Sequence, residues 1–244
     1  MSKVAVIIPA AGKSERFGDG ENKTLARLDG RPVFLRTIEH FINREDVIQT
    51  ILIVGGEELG QVRSKYGPNL GFMGVQLVEG GQERVDSVAA GLEHVKEEAD
   101  LVAIHDAVRP CVSERMIDDV FAEAAKTGAA ILATPITGTI KRVTEAGVID
   151  ATVPRVGLFE AQTPQVFRRQ LIIDAYANRP EAGEAVTDDA RLVEATGHPV
   201  SIVKSDPSNI KITTRADTTL AGAILKSRPR KKAAGLGAFE EAQW

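Results

Sequence analysis

Short apolar runs alternate with longer amphipathic stretches along this chain, and that alternation restricts its possible folds more than any other feature. The runs are VAVIIP (4–9), TILIVG (50–55), VQLVEG (75–80), LVAIHD (101–106) and AAILATP (129–135). Their continuous β-branched and aliphatic character fits strands buried on both faces. Between them, segments 32–42, 57–66, 83–97 and 114–126 have helical patterns, the last preceded by Ser113 as a natural N-cap. Strand and helix in turn predict an α/β fold with an open, mainly parallel sheet.

The period changes in residues 136–155, where apolar and polar residues alternate around a turn at 145–147. This predicts a hairpin arm projecting from the sheet. Its apolar edges call for cover, either by the same arm of a second subunit or by folding back on its own domain. Helices at 168–178 and 188–196, a strand at 199–204 and a helix at 215–226 then return the chain to the same domain. Residues 1–227 are thus read as one domain, with 136–155 as a dimerisation arm. The remainder, 228–244, mixes charge with small residues and reads as a disordered tail.

With 244 residues and 43% hydrophobic content the chain can bury a sizeable core. The net charge of −4 gives no general attraction for nucleic acid, so a polyanionic ligand needs local cations. Cys111 has no internal disulfide partner, and the histidines at 40, 94, 105 and 198 lack metal-ligand spacing, so no protein metal site is expected. The first apolar run, broken by Pro9 and Gly12, is too short for a signal or a membrane span. A cytoplasmic protein without a membrane partner is the expectation.

Three segments carry the chemistry. The first strand runs into PAAGKSERFGDGENK, where Pro9, Ala10, Ala11 and Gly12 offer small side chains and backbone amides, followed by Lys13, Arg16 and Lys23. Amides at a strand tip can surround phosphate oxygens while cations neutralise them, although a solvated βα loop has the same composition. The order of a P-loop or a dinucleotide fingerprint is lacking. The second segment, GGQERVDSVAAGL (80–92), pairs glycines at a strand end with Arg84 and Ser87 opening a helix. It fits a base or ribose held close to the backbone, or simply a turn before a charged helix. The third, HDAVRPC (105–111), ends a buried strand where open α/β sheets place ligands. Asp106 can orient a hydroxyl or metal-bound water and Arg109 can hold a phosphate; a surface ion pair is the plain alternative. His105 reads as structural.

In this order, together with TIKR at 139–142, Arg155, the LxxAQTPQVF pattern ending at Phe167, TDDA at 187–190 and NIKIT at 209–213, these motifs resemble the 2-C-methyl-D-erythritol 4-phosphate cytidylyltransferases over residues 4–220. The resemblance implies a doubly wound, Rossmann-like sheet of the nucleotidyltransferase type, and transfer of CMP from CTP to 2-C-methyl-D-erythritol 4-phosphate with release of pyrophosphate. It implies CTP contacts by Pro9, Ala10, Ala11, Gly12, Gly81, Gln82, Arg84 and Ser87. It assigns Arg16 and Lys23 to the α-phosphate and Asp106, Arg109, Thr139, Lys141, Thr163, Thr187 and Lys211 to the acceptor. Arg155 would arrive on the arm of the second subunit of a homodimer, and the catalytic set is Arg16, Lys23, Arg155 and Lys211. The nucleophile is a phosphate monoester already ionised near neutrality, so no general base is needed and cations dominate. Mg2+ is expected to arrive on the triphosphate.

This sequence departs from the commonest family pattern at Gln82, where some relatives have an acid. It also has Asn22 where many have proline, which predicts a looser loop around Lys23. Val108 occurs also in ribitol phosphate cytidylyltransferases, so ribitol 5-phosphate is the alternative acceptor. A nucleotide-binding regulatory subunit without activity is a further alternative.

Overall fold

The computed structural model describes residues 1–12, 17–18, 22–179 and 186–228. Its centre is a seven-stranded sheet in the order β11 (Ser201–Lys204), β7 (Ala129–Pro135), β10 (Phe159–Arg168), β6 (Leu101–Ile104), β1 (Val4–Pro9), β4 (Val47–Val54), β5 (Val75–Glu79). Every pairing is parallel except those of β10, which runs against both β6 and β7. The mainly parallel α/β architecture expected from the alternating pattern is therefore present.

The two-residue period of the strands divides the core. Val4, Val6 and Ile8 of β1 pack on one face with Phe34 of α1 (Val33–Ile38), Val62 and Leu70 of α2 (Gly56–Phe72), and Ile117 and Val120 of α4 (Glu114–Thr127). Ala5 and Ile7 point the other way, onto Val88 and Leu92 of α3 (Arg84–Leu92), Ile172 and Tyr176 of α5 (Arg169–Ala177) and Leu192 of α6 (Asp189–Ala195). Each fully buried Ile or Leu stabilises the fold by about 1.5–3 kcal/mol, which is why these strands read as unbroken apolar runs. A third cluster, including Phe17, Val108, Cys111, Ile212 and Ala221, seats α7 (Arg215–Ser227) against the end of the sheet.

Ser113 caps α4 as expected, its hydroxyl accepting from the Met116 amide at 3.2 Å. The helix stops at Gly128, whose φ of 96° favours glycine. Other boundaries differ from expectation. The helix read at 32–42 ends at Ile38 and the one read at 83–97 ends at Leu92. Beyond Leu92 the chain tightens into turns, with His94 bonded to Gly91 and Val95 to Leu92. The helix read at 57–66 instead continues through Pro68 to Phe72, because Leu70, 1% exposed, docks on the core.

A larger difference is β10, which the apolar-run pattern does not mark as a strand. Pro164 and the polar Glu160, Gln162, Thr163 and Gln165 interrupt its apolar character, and the register with β7 shifts between Ala161 and Gln165. Bulges are where a strand accommodates proline.

The expected hairpin is present as β8 (Ile140–Val143) and β9 (Ile149–Val153), paired antiparallel in a separate two-stranded sheet. Gly147 in its turn has a φ of 76°. Val143, Val148, Ile149 and Val156 are exposed along it. A short hairpin, β2 (Arg27–Leu28) with β3 (Arg31–Pro32), completes the strands among the described residues. Residues 229–244 lie outside the described set, but Arg228, read as part of the tail, belongs to the fold: its guanidinium donates to the carbonyls of Cys111 and Val112.

Candidate active site

From β1 the chain moves outward to β4 and β5, then returns to β6 on the other side of β1. That reversal opens a crevice at the carboxyl ends of β1 and β6, the usual ligand position in a wound sheet. Thr163, at the β10 bulge, reaches the same edge, and its hydroxyl accepts from the Asp106 amide at 3.0 Å.

Asp106 is the hub. It is 6% exposed. Its Oδ1 accepts from Arg84 Nε at 3.2 Å, while Oδ2 lies 2.9 Å from Lys211 Nζ and 3.5 Å from Arg109 Nε. Burial alone would raise its pKa, but Arg84, Lys211 and Arg109 together outweigh that and hold the carboxyl well below the usual range. Both its oxygens face cations, so Asp106 holds three positive side chains together. Arg109 is fixed further by donating to the Asn209 carbonyl at 2.7 Å. A cleft of about 190 Å³ is lined by Arg84, Asp106, Arg109, Thr163, Thr187 and Lys211, with Gln165 and Asp188 beside them. The acceptor residues expected from β6, β10, TDDA and NIKIT thus converge. A larger cavity of about 720 Å³ lies away from Asp106, between residues 22–27, α2 and α7.

His105 is structural, as read. Its Nε2 must donate to the Arg109 carbonyl, so Nδ1 accepts from the Thr163 hydroxyl, which in turn accepts from the Asp106 amide. Burial lowers its pKa to about 3, against a smaller opposing pull from Asp106, and keeps the ring neutral.

Arg84 has a role the motif does not reveal. Besides Asp106 it grips Asp189 with two bonds, of 3.0 and 2.6 Å, and Asp189 also accepts from the Tyr176 hydroxyl. Burial works against its charge, but Asp189 and then Asp106 raise its pKa well above the ordinary value. Its guanidinium is thereby committed to two carboxylates. Asp189, Tyr176, Gln165 and Asn209 shape the cleft without being marked as site residues by sequence reasoning. TDDA carried a usable signal: Asp188 caps α6 by accepting from the Arg191 amide, which leaves the adjacent acid to turn inward.

The nucleotide segments meet beside this cleft. The Ala10 amide is already bonded to the Ile53 carbonyl at 2.7 Å. A Cβ on Gly12 would lie 3.8 Å from Lys23 Nζ, so that ammonium sits beside the β1 turn. The glycine pair packs closely on its own chain. A Cβ on Gly80 would come within 2.7 Å of Ser87 Oγ and 3.0 Å of Ala11 Cβ, and one on Gly81 within 2.3 Å of Asp86 Cβ. These glycines let the β5–α3 turn pack against β1 and α3. Ser87 is fully buried with its hydroxyl donating to the Glu83 carbonyl, so its side chain presents no surface in this conformation. Pro9 and Ala11 are half-buried; Gly12 and Gln82 are exposed.

The arm residues lie apart from the cleft lining. Thr139, Lys141 and Arg155 are exposed; Lys141 Nζ donates to Thr152, and Arg155 donates to the Thr137 carbonyl at the arm's base. Arg16 and Lys13 lie outside the described residues. Asn22 does not loosen its segment: it bonds Thr24 and Glu58 and ties the stretch down.

Solved structures place this architecture among the nucleotidyltransferases. The fold matches 2-C-methyl-D-erythritol 4-phosphate cytidylyltransferase from Thermus thermophilus with a TM-score of 0.76 and 31% identity, over 92% of this chain and 99% of that one. It matches the 4-diphosphocytidyl-2C-methyl-D-erythritol synthase of Anaerococcus prevotii with a TM-score of 0.78 and 28% identity, over 92% and 96%. In sequence, the 2-C-methyl-D-erythritol 4-phosphate cytidylyltransferase of Rhodopirellula baltica is 44% identical over 92% of this chain and 95% of its own length. The profile of that family covers residues 4–227, and the chain belongs to the 2-C-methyl-D-erythritol 4-phosphate cytidylyltransferase family.

Proposed function

We propose that this chain transfers CMP from CTP to 2-C-methyl-D-erythritol 4-phosphate, giving 4-diphosphocytidyl-2-C-methyl-D-erythritol and pyrophosphate, a step toward isoprenoid precursors. Beyond family membership, the observation that carries the reading is the convergence of Arg84, Arg109 and Lys211 on Asp106 at the tip of β6, next to the β1 turn with Gly12, which Lys23 Nζ approaches from its own segment. A phosphate oxygen of the acceptor attacks the α-phosphorus of CTP; that P–O bond forms as the bond to the β-phosphate's bridging oxygen breaks, and pyrophosphate leaves. Proton abstraction is unnecessary, so the protein's task is to align two anions and neutralise the charge that develops.

Lys211, the most exposed of the three cations, and Arg109 receive the acceptor phosphate, and Asp106, Thr163 and Thr187 meet its hydroxyls. Lys23 and Arg16 stabilise the five-coordinate α-phosphate. Arg84 orients Asp106 through its Nε and holds Asp189 through two further N–H groups, and its remaining donors are available to a nucleotide phosphate. Mg2+ carried by the triphosphate would supply further charge neutralisation. Held by phosphate and water, such a metal would need no cluster of protein carboxylates.

The active unit in this reading is a homodimer. Exposed Val143, Val148, Ile149 and Val156 give the arm an apolar surface suited to a second copy, which would bring Arg155, Thr139 and Lys141 to the neighbouring cleft. The setting is the cytoplasm, where the buried Cys111, its pKa raised to about 11 by burial, stays a thiol.

A pyrophosphate-release assay with CTP and a panel of alditol phosphates tests the reaction. Turnover should depend on CTP and on 2-C-methyl-D-erythritol 4-phosphate; equal or faster turnover with ribitol 5-phosphate makes the acceptor assignment wrong. Mixing inactive Lys23→Ala and Arg155→Ala chains tests assembly: hybrid dimers should regain activity, and no recovery despite subunit exchange removes catalysis across the interface.

A further inference from the structure

Lys23 sits on a flexible four-carbon stem, so aiming its charge depends on how firmly its backbone is held. The segment that carries it turns on Asn22, whose carbonyl accepts from the Leu25 and Ala26 amides at 2.9 and 3.1 Å. The Asn22 side chain uses both ends. Its Oδ1 accepts from the Thr24 amide and hydroxyl at 2.9 and 2.6 Å, and its Nδ2 donates to Glu58 Oε1 at 2.8 Å. Glu58 lies in the first turn of α2, and its other oxygen packs on the β4–α2 turn, where a Cβ on Gly55 would come within 2.7 Å of it. Ala11 of the β1 turn is 3.8 Å from that same point. One carboxylate therefore joins the Lys23 segment to the rigid start of α2, alongside the turn against which Lys23 Nζ rests.

We propose that Glu58 and Asn22 are positioning residues for Lys23, forming a strut that aims the ammonium at the nucleotide phosphate. This rests on the reading that Lys23 acts in the transfer. Misplacing a charge by about 1 Å costs on the order of 100-fold in rate, and partial loosening costs less. A role for Glu58 confined to the dipole of α2 would instead depend on its negative charge alone.

The experiment measures kcat and KM for both substrates in Glu58→Ala, Asn22→Ala, Glu58→Gln and Lys23→Ala, and in the double variants with Lys23→Ala. Glu58→Ala and Asn22→Ala should lower kcat about 10-fold, with KM for CTP within about 2-fold and an unchanged melting temperature. Glu58→Gln, which keeps the oxygen that Asn22 donates to, should retain near-normal kcat. On the Lys23→Ala background neither alanine change should reduce the residual rate further. Asn22→Asp should be as slow as Asn22→Ala, and the pair Asn22→Asp with Glu58→Gln, in which donor and acceptor change places, should recover. That rescue also decides the matter if an alanine variant fails to fold. Normal kcat in both alanine variants beside an inactive Lys23→Ala overturns the strut alone. So do a Glu58→Gln as slow as Glu58→Ala, a further 10-fold loss on the Lys23→Ala background, or a failed rescue. Normal turnover in Lys23→Ala overturns the catalytic reading of Lys23, and the strut with it.

Discussion

Two arginine–aspartate pairs in this molecule have the same 2.6 Å contact, Arg84–Asp189 in the cleft and Arg142–Asp150 on the arm. Their surroundings are opposite: the Asp189 side chain is 0% exposed and Arg84 27%, whereas Asp150 is 48% and Arg142 67%. In the cleft the pair extends to Tyr176 on one side and Asp106 on the other, so the charges are fixed before any substrate arrives. On the arm, water screens both partners, and among the described residues the only bond either side chain makes is the one between them. Contact distance thus says little about energetic weight; desolvation and further partners decide it. The cleft is preorganised by buried partners, while the arm's charged groups face solvent.

The largest expected effect tests the buried side of this contrast. Asp189→Ala leaves Arg84 and the Tyr176 hydroxyl without their shared partner and should destabilise the fold by about 3–5 kcal/mol in denaturant titrations. A loss below about 1 kcal/mol would put the cleft pair in the same class as the arm pair.

An intermediate effect comes from pH. Below about 6.5 the unfolded chain protonates His105, but the buried ring, with its pKa near 3, stays neutral. Stability should therefore fall as pH drops from about 6.5 to 4, by up to about 1.4 kcal/mol per unit from this residue. His40, its pKa also lowered by burial, acts in the same direction. Asp106 adds its own loss only below the ordinary carboxylate range, where its unfolded form protonates. Thermal melts of the wild type and His105→Gln across that window should show a shallower slope for the variant; parallel slopes would exclude His105 as the cause. The smallest effect belongs to the arm: Arg142→Ala should change stability by less than about 1 kcal/mol, and a larger loss in the same titration would show that the arm pair is not solvent-screened.

Much of this was legible in the sequence because the same physics wrote both. β1, β4, β6 and β7 are covered on both faces, and strands so covered must be apolar throughout. β10 was not legible because its polar side chains, which argue against a strand, are satisfied only by partners distant in sequence. Gln165 bonds Asp188 and the Ala190 amide, and Gln162 accepts from Ser205 and Asn209. Within the site, Asp106 and Arg109 could be found because their motif follows the tip of β6, whereas Thr163, inside β10, and Lys211, beyond β11, came only from the family resemblance. The Arg84–Asp189 pair, spanning 105 positions, leaves no local trace. Gly80 and Gly81 were marked as places of close approach, and Ala11, Ser87 and Asp86 of the chain itself come near them.

The arm is also not an appendage on a loop. Its two legs are β7 and β10, neighbours in the main sheet, and their ladder runs out to the Pro135–Phe159 pair at its base. Four residues inward from Phe159 is Thr163, bonded to His105 and to the Asp106 amide. The strand that leaves the hairpin is therefore the same one that lends its hydroxyl to the hub of the cleft.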